Sequence, residues 1–178
     1  MKVKLLSYNI PENEELYDMG TVTFYVQGLS RVALAQLVRH RTFSFSVQSM
    51  RYVKQNGNFV TPMQLNDIEW YDDITKAMFA EYHSLLEDGY KKEDARYVLP
   101  LATTTNLVVT IPLMFAQNFF ELRLHKSAQP EIRALAALMF KETYNLLNDF
   151  FSDNVVDLWS EALTKEEVVY YFQGDKDE

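Results

Sequence analysis

TVTFYVQGLSRVALAQLVRHRTFSFSVQSMRY, residues 21–52, is the stretch from which the fold can be read. Its opening, 21–27, is rich in β-branched and aromatic side chains and predicts a strand. Gly28 is expected to break that strand, and Ser30 is a good N-cap for a helix. Val32, Leu34, Ala35, Leu37 and Val38 then give the helix a broad apolar face, expected to be buried. The periodicity runs to His40 and fails at TFSFS. Arg39, His40 and Arg41 therefore stand at the end of an apolar helix, where positive charge complements the dipole. Seven residues further on comes Ser49, followed by Arg51. Such a cluster of donors suits phosphate, which arginine can hold bidentately. The same charges could also serve as a solvated basic turn capping the helix.

Outward from this stretch the chain alternates strands and helices. Upstream, 3–7 predicts a first strand and IPENEELYDMG a polar connection with a short turn. Downstream, Asn56-Gly57 is a turn signal, after which 58–61 returns as a strand. Ile68, Tyr71, Ile74, Met78, Tyr82 and Leu85 keep helical spacing through 67–88, ended by Gly89. His83 within it is expected to be structural rather than a ligand. A short helix over 91–99 stops at Pro100, and TTTNLVVTI, 103–111, predicts another strand. Pro112 opens a helix over 113–124 with Phe115, Phe119 and Leu122 on one face. A long core helix is expected over 129–151, with Glu131 favourable in its first turn. Asp153 or Asn154 caps a last helix around 156–163, and 166–172 is a terminal strand or helix. The expectation is one α+β domain over 1–178, a small antiparallel sheet with several helices.

Composition narrows the function. At 178 residues and 48% hydrophobic, the chain can bury a sizeable core. No apolar run is long enough to span a bilayer, and MKVKLLSYN is too polar and short for a secretory leader, so the expected location is cytoplasmic, off the membrane. A net charge of -8 argues against a nucleic-acid polymer as partner. The bases near residues 39–51 suggest instead a pocket for a small anion, while Asp149, Asp153 and the GDKDE tail read as solvated surface. With no cysteine there is neither a disulfide nor a thiolate metal site, and no metal is expected.

R-H-R, seven residues, S, then x-R-Y resembles the signature of the flavin-dependent thymidylate synthases. The resemblance extends upstream through FYVQGLSRVALAQLVRHR and downstream to NFVTP. A second block, 95–133, resembles the family's other long motif region, so that roughly half of the chain is covered in the right order. The resemblance implies an α+β homotetramer with active sites shared between subunits. It also implies the reductive methylation of dUMP to dTMP with FAD, NADPH and methylenetetrahydrofolate. The unrelated class of thymidylate synthases attacks the uracil ring with a cysteine thiolate, which this chain cannot do.

Carried over by position, the resemblance places Gln36 and Arg39 at the nucleotide and flavin edge, and Arg39, His40, Arg41 and Asn118 at the flavin. Ser49 and Arg51 would hold dUMP, Arg51 at the phosphate. Arg96 would reach the dUMP of a neighbouring subunit. Arg123 would face the uracil ring and stabilise the negative charge that develops there, which makes it, with Ser49, the catalytic candidate. Glu93 and Glu121 are alternative partners for Arg96 and Arg123. Departures fall on the flavin side. Val47 stands where an acidic or amide residue is usual, Pro112 and Met114 where asparagine and arginine are usual, and Asp18-Met19 where a Glu-His pair is usual. FAD is therefore expected to be held weakly. A pyrimidine-nucleotide hydroxymethylase, a UMP methylase and a non-catalytic nucleotide binder are the alternative readings.

Overall fold

The computed structural model describes residues 1–147, 150–163 and 168–171. Strand β1 (Lys2–Asn9) leads through a 3-10 turn (Glu14–Met19) to β2 (Thr21–Ser30) and helix α1 (Arg31–Leu37). Next come β3 (Ser44–Val47), β4 (Phe59–Pro62), α2 (Glu69–Glu87) and α3 (Lys92–Ala95), which runs into a 3-10 turn, Arg96–Val98. After these come β5 (Thr104–Pro112), α4 (Leu113–Leu124), α5 (Pro130–Leu147), α6 (Asp153–Leu163) and β6 (Val168–Tyr171). The main sheet has the order β1-β2-β5-β3 with every pair antiparallel, and β4 pairs with β6 apart from it. The expected α+β class with a small antiparallel sheet is what the chain adopts.

The core follows from the alternation in β2 and β5. Val22, Phe24 and Val26 share one face of β2, and they lie opposite Ile111, Val109 and Leu107 of β5. All six are buried, in one cluster with residues of α4 and α5 such as Phe119, Phe120, Ile132 and Phe140. Phe140 lies 5.1 Å from Phe120 and 5.1 Å from Trp159, so one ring cluster ties α4, α5 and α6 together.

Several expectations need correction. Gly28 does not end its strand: β2 continues to Ser30 through a register shift after Val26, where Gly28 takes φ 79. The extra residue is held because the Gly28 N–H donates to Asn106 Oδ1 at 3.1 Å. The failed periodicity at TFSFS marks β3, an edge strand on β5. In α1 only Ala33 and Leu37 are buried, and Val32 and Val38 face outward. On α4, Leu122 is exposed and the buried face carries Phe119 with Phe120 and Leu124. The long helix is described over Pro130–Leu147 and does not include 150 or 151, and the last helix begins at Asp153. The expected acidic surface at Asp149 and in the tail lies outside the described residues, as do 166, 167 and 172, while 168–171 form the strand β6.

Glu131 does more than favour a helix start. It is buried, and its carboxylate accepts from Ser30 N at 2.7 Å and from Ser30 Oγ at 2.5 Å. Ser30 Oγ in turn accepts from Ala33 N at 3.1 Å, which caps α1 as expected. The start of α5 thus fixes the start of α1, and with it the direction in which the RHR turn leaves the helix.

Candidate functional site

The site residues fall into two groups on either side of β3. The first forms where α1 ends against α4. Backbone N–H groups of Arg39 and His40 donate to Gln36 O and Leu37 O, which closes the helix into a turn. The His40 ring then stacks on Phe43 at 5.1 Å and meets Phe119 edge-on at 5.0 Å, so the core fixes its plane. Arg123, at the last turn of α4, donates from Nε to His40 Nε2 at 2.9 Å and from Nη2 to Gln36 O at 3.3 Å. An imidazole that accepts from a guanidinium must be neutral at that nitrogen. Burial, and then the Arg123 charge, push the His40 pKa down to about 4, which agrees with that role. The Arg123 guanidinium is itself pushed below its usual range by burial and by Arg39. Among the described residues no carboxylate forms an ion pair with Arg39 or Arg123, and Glu121 instead accepts from Gln117 Nε2 at 2.6 Å. Arg39, Arg41 and Asn118 are exposed.

The second group gathers around the turn after β3. Ser49 Oγ accepts from Arg51 N at 3.2 Å, and Ser49 O accepts from Val53 N at 3.0 Å. The Arg51 fork closes on one oxygen of Glu93, with Nε and Nη2 each 2.7 Å from Oε2. This pair holds the Glu93 carboxyl below the usual range. Arg96, expected to serve a neighbouring subunit, sits with Arg51 in the same chain: its Nε donates to Glu93 O at 3.1 Å. Arg31 belongs here too, because its Nη2 donates to Gln48 O at 3.1 Å, just before Ser49. Sequence reasoning missed Arg31. The signal for it was an arginine directly after the Ser30 cap, which points from α1 toward the Ser49 turn.

None of the hydrogen bonds, ion pairs and ring contacts among the described residues joins the two groups. β3 runs between them, and its four residues at ~3.3 Å rise set its ends ~10 Å apart. Val47 ends β3 and packs partly against the core, Pro112 caps α4, and Met114 is 57% exposed.

Neutral imidazole and un-neutralised guanidinium groups on a small α+β scaffold are the chemistry of a site for anionic small molecules. Residues 5–147 match the family described as thymidylate synthase complementing protein. The flavin-dependent thymidylate synthase of Sulfurisphaera tokodaii is 45% identical over 125 residues, 67% of this chain and 49% of that protein. The enzyme of that name from Saccharolobus solfataricus is 36% identical over 160 residues, 82% of this chain and 62% of that protein. The chain therefore spans about half to three fifths of the length of these relatives. In fold it is similar to ThyX of Helicobacter pylori complexed with FAD and dUMP, at TM-score 0.69 and 23% identity, covering 85% of this chain and 100% of that one. It is equally similar to the UMP/dUMP methylase PolB of Streptomyces cacaoi bound with 5-Br dUMP, at TM-score 0.69 and 21% identity, over 92% of this chain and 94% of that one. The chain belongs to the thymidylate synthase complementing protein family, that of the flavin-dependent thymidylate synthases.

Proposed function

We propose that the protein catalyses the reductive methylation of dUMP to dTMP with FAD, methylenetetrahydrofolate and NADPH. The observation that carries this reading is Arg123, held by a neutral His40 and, among the described residues, left without a counter-charge. With Nε on His40 and Nη2 on Gln36 O, its Nη1 amino group is uncommitted. Aimed at the uracil, that group stabilises the negative charge that develops on the ring. Gln36 and Arg39 lie at the same edge. Arg51, Arg96 and Ser49 take the phosphate, and Glu93 is the anion that dUMP displaces from Arg51.

The residues fit a flavin at the exposed Arg39 and Arg41, at Asn118 and along the His40 edge, where donors can meet phosphates and ring oxygens. Bound there, FAD supplies the hydride chemistry between NADPH and the pyrimidine. Val47, Pro112 and Met114 offer no polar side chain, so the flavin is held more weakly than by a fully polar set.

The active protein is a homotetramer whose sites combine the first group of one subunit with the second group of another. Support comes from β3 standing between the groups and from an outward apolar surface of Val32, Trp70, Ile74, Met78 and Leu101, all at least 38% exposed. The test is dTMP formation from dUMP with FAD, NADPH and methylenetetrahydrofolate, followed by chromatography. Absence of product at saturating FAD would count against the enzyme. Arg51→Ala and Arg123→Ala, each inactive alone, should regain activity when mixed, and no recovery after confirmed subunit exchange would sink the shared site. The likeness to a UMP/dUMP methylase favours a second reading in which UMP is also accepted, and UMP in the same assay decides it.

A further inference from the structure

Arg31 is half-buried, and its Nε is enclosed with no hydrogen-bond partner among the described residues. Its pKa is pushed down first by burial and then by the charge of Arg96. Two guanidinium groups so close that one perturbs the other normally recruit an acid. Here no carboxylate lies within ion-pair distance of Arg31 or Arg96 among the described residues, because Glu93 is spent on Arg51. The chain has 25 acidic residues against 17 Lys and Arg, so it is not short of counter-charges. A lone backbone acceptor, Gln48 O, does not balance a half-buried cation beside another cation.

We infer that Arg31 and Arg96 form the floor of a phosphate site, with Arg31 a binding residue that the motif residues do not include. The inference rests on the proposed reading that the Ser49 turn takes the phosphate end of a nucleotide, and it deepens that reading. Arg31 starts α1, and its Nη2 bond to Gln48 O brings the guanidinium beside the residue that precedes Ser49. A phosphate monoester suits the place better than a carboxylate. A dianion relieves the repulsion between Arg31 and Arg96, and its several oxygens can meet the Nη groups of both. The nucleoside half of the ligand gains nothing from Arg31, so the residue selects nucleotide over nucleoside.

Calorimetry of the full chain tests this with inorganic phosphate, dUMP and deoxyuridine, on wild type and on Arg31→Met, Arg31→Lys and Arg51→Ala. Arg31→Met should weaken phosphate and dUMP on the order of ten- to a hundredfold. Deoxyuridine binding should stay unchanged, and Arg31→Lys should recover part of the loss. Unaltered dUMP and phosphate affinity in Arg31→Met, with a loss in Arg51→Ala, overturns the inference and leaves the reading of the turn intact. No loss in either variant overturns the reading of the turn itself. Equal losses for dUMP and deoxyuridine in Arg31→Met also overturn the inference, since Arg31 then only props the Gln48 backbone.

Discussion

Acid should weaken this protein through His40. In the folded chain the imidazole accepts from Arg123 and is held at a pKa of about 4, against 6.5 when unperturbed. Between those values the unfolded chain binds the proton and the folded chain does not, so stability rises with pH across the window. The contribution is fully present above about 6.5 and is lost as pH falls from 6.5 toward 4. At full strength the displacement corresponds to ~3 kcal/mol. His40 is only part-buried, so solvent screening reduces this to ~1–2 kcal/mol. The charged group facing the ring is Arg123 from α4, while Phe43 stacks on the ring and Phe119 meets it edge-on. His40→Gln keeps an acceptor for Arg123 but does not titrate. Urea denaturation at pH 7 and pH 4.5 should therefore show wild type losing ~1–2 kcal/mol more than His40→Gln, with carboxylate titrations common to both. In proton NMR only three histidines need resolving, and His40 should titrate with a midpoint near 4. A His40 midpoint near 6.5, or equal acid losses in the two proteins, would refute the reasoning.

Glu93→Gln should free Arg51 and tighten dUMP two- to fivefold by calorimetry, a small effect because the pair is 53% and 35% exposed. Met114→Arg restores a donor at an exposed position and should tighten FAD about tenfold in fluorescence titration, without changing the thermal midpoint. Phe120→Ala removes a ring packed between Phe140 and Phe151 and should cost ~3–5 kcal/mol in urea denaturation.

Local chemistry made much of the fold legible. The β-branched runs of β2 and β5, the Ser30 cap and Pro112 at the start of α4 each act within a few residues, and each lies where the sequence puts it. What was not legible depends on partners far along the chain. β3 has four residues, and its strand identity comes from β5, whose Val109 pairs with Phe45. Gly28 reads as a strand breaker because the sequence cannot show Asn106 holding its N–H. Glu131 reads as a helix-start acid, and only folding brings it to Ser30. The same limit governs the site. The motif arginines could be named, but which side chains neutralise them could not.

Under the proposed function, that pattern of neutralisation separates the arginines by role. Arg51 has a carboxylate, and a fork already filled by Glu93 must exchange one anion for another. Exchange favours a ligand of higher charge than a carboxylate, which a phosphate dianion has. Among the described residues Arg123 has no carboxylate partner, only a neutral nitrogen and a backbone oxygen. Its charge therefore stays undiminished, while His40 keeps the guanidinium in place. Such an arrangement costs stability when empty and does most where negative charge appears only during a reaction. A permanent counter-ion at Arg123 would already cancel the field that the developing charge needs. On the proposed function the two groups suit different halves of one nucleotide, the displaceable pair its phosphate and the uncancelled arginine its base. Within a single chain Glu93 pairs with Arg51, and no ion pair among the described residues joins it to Arg123.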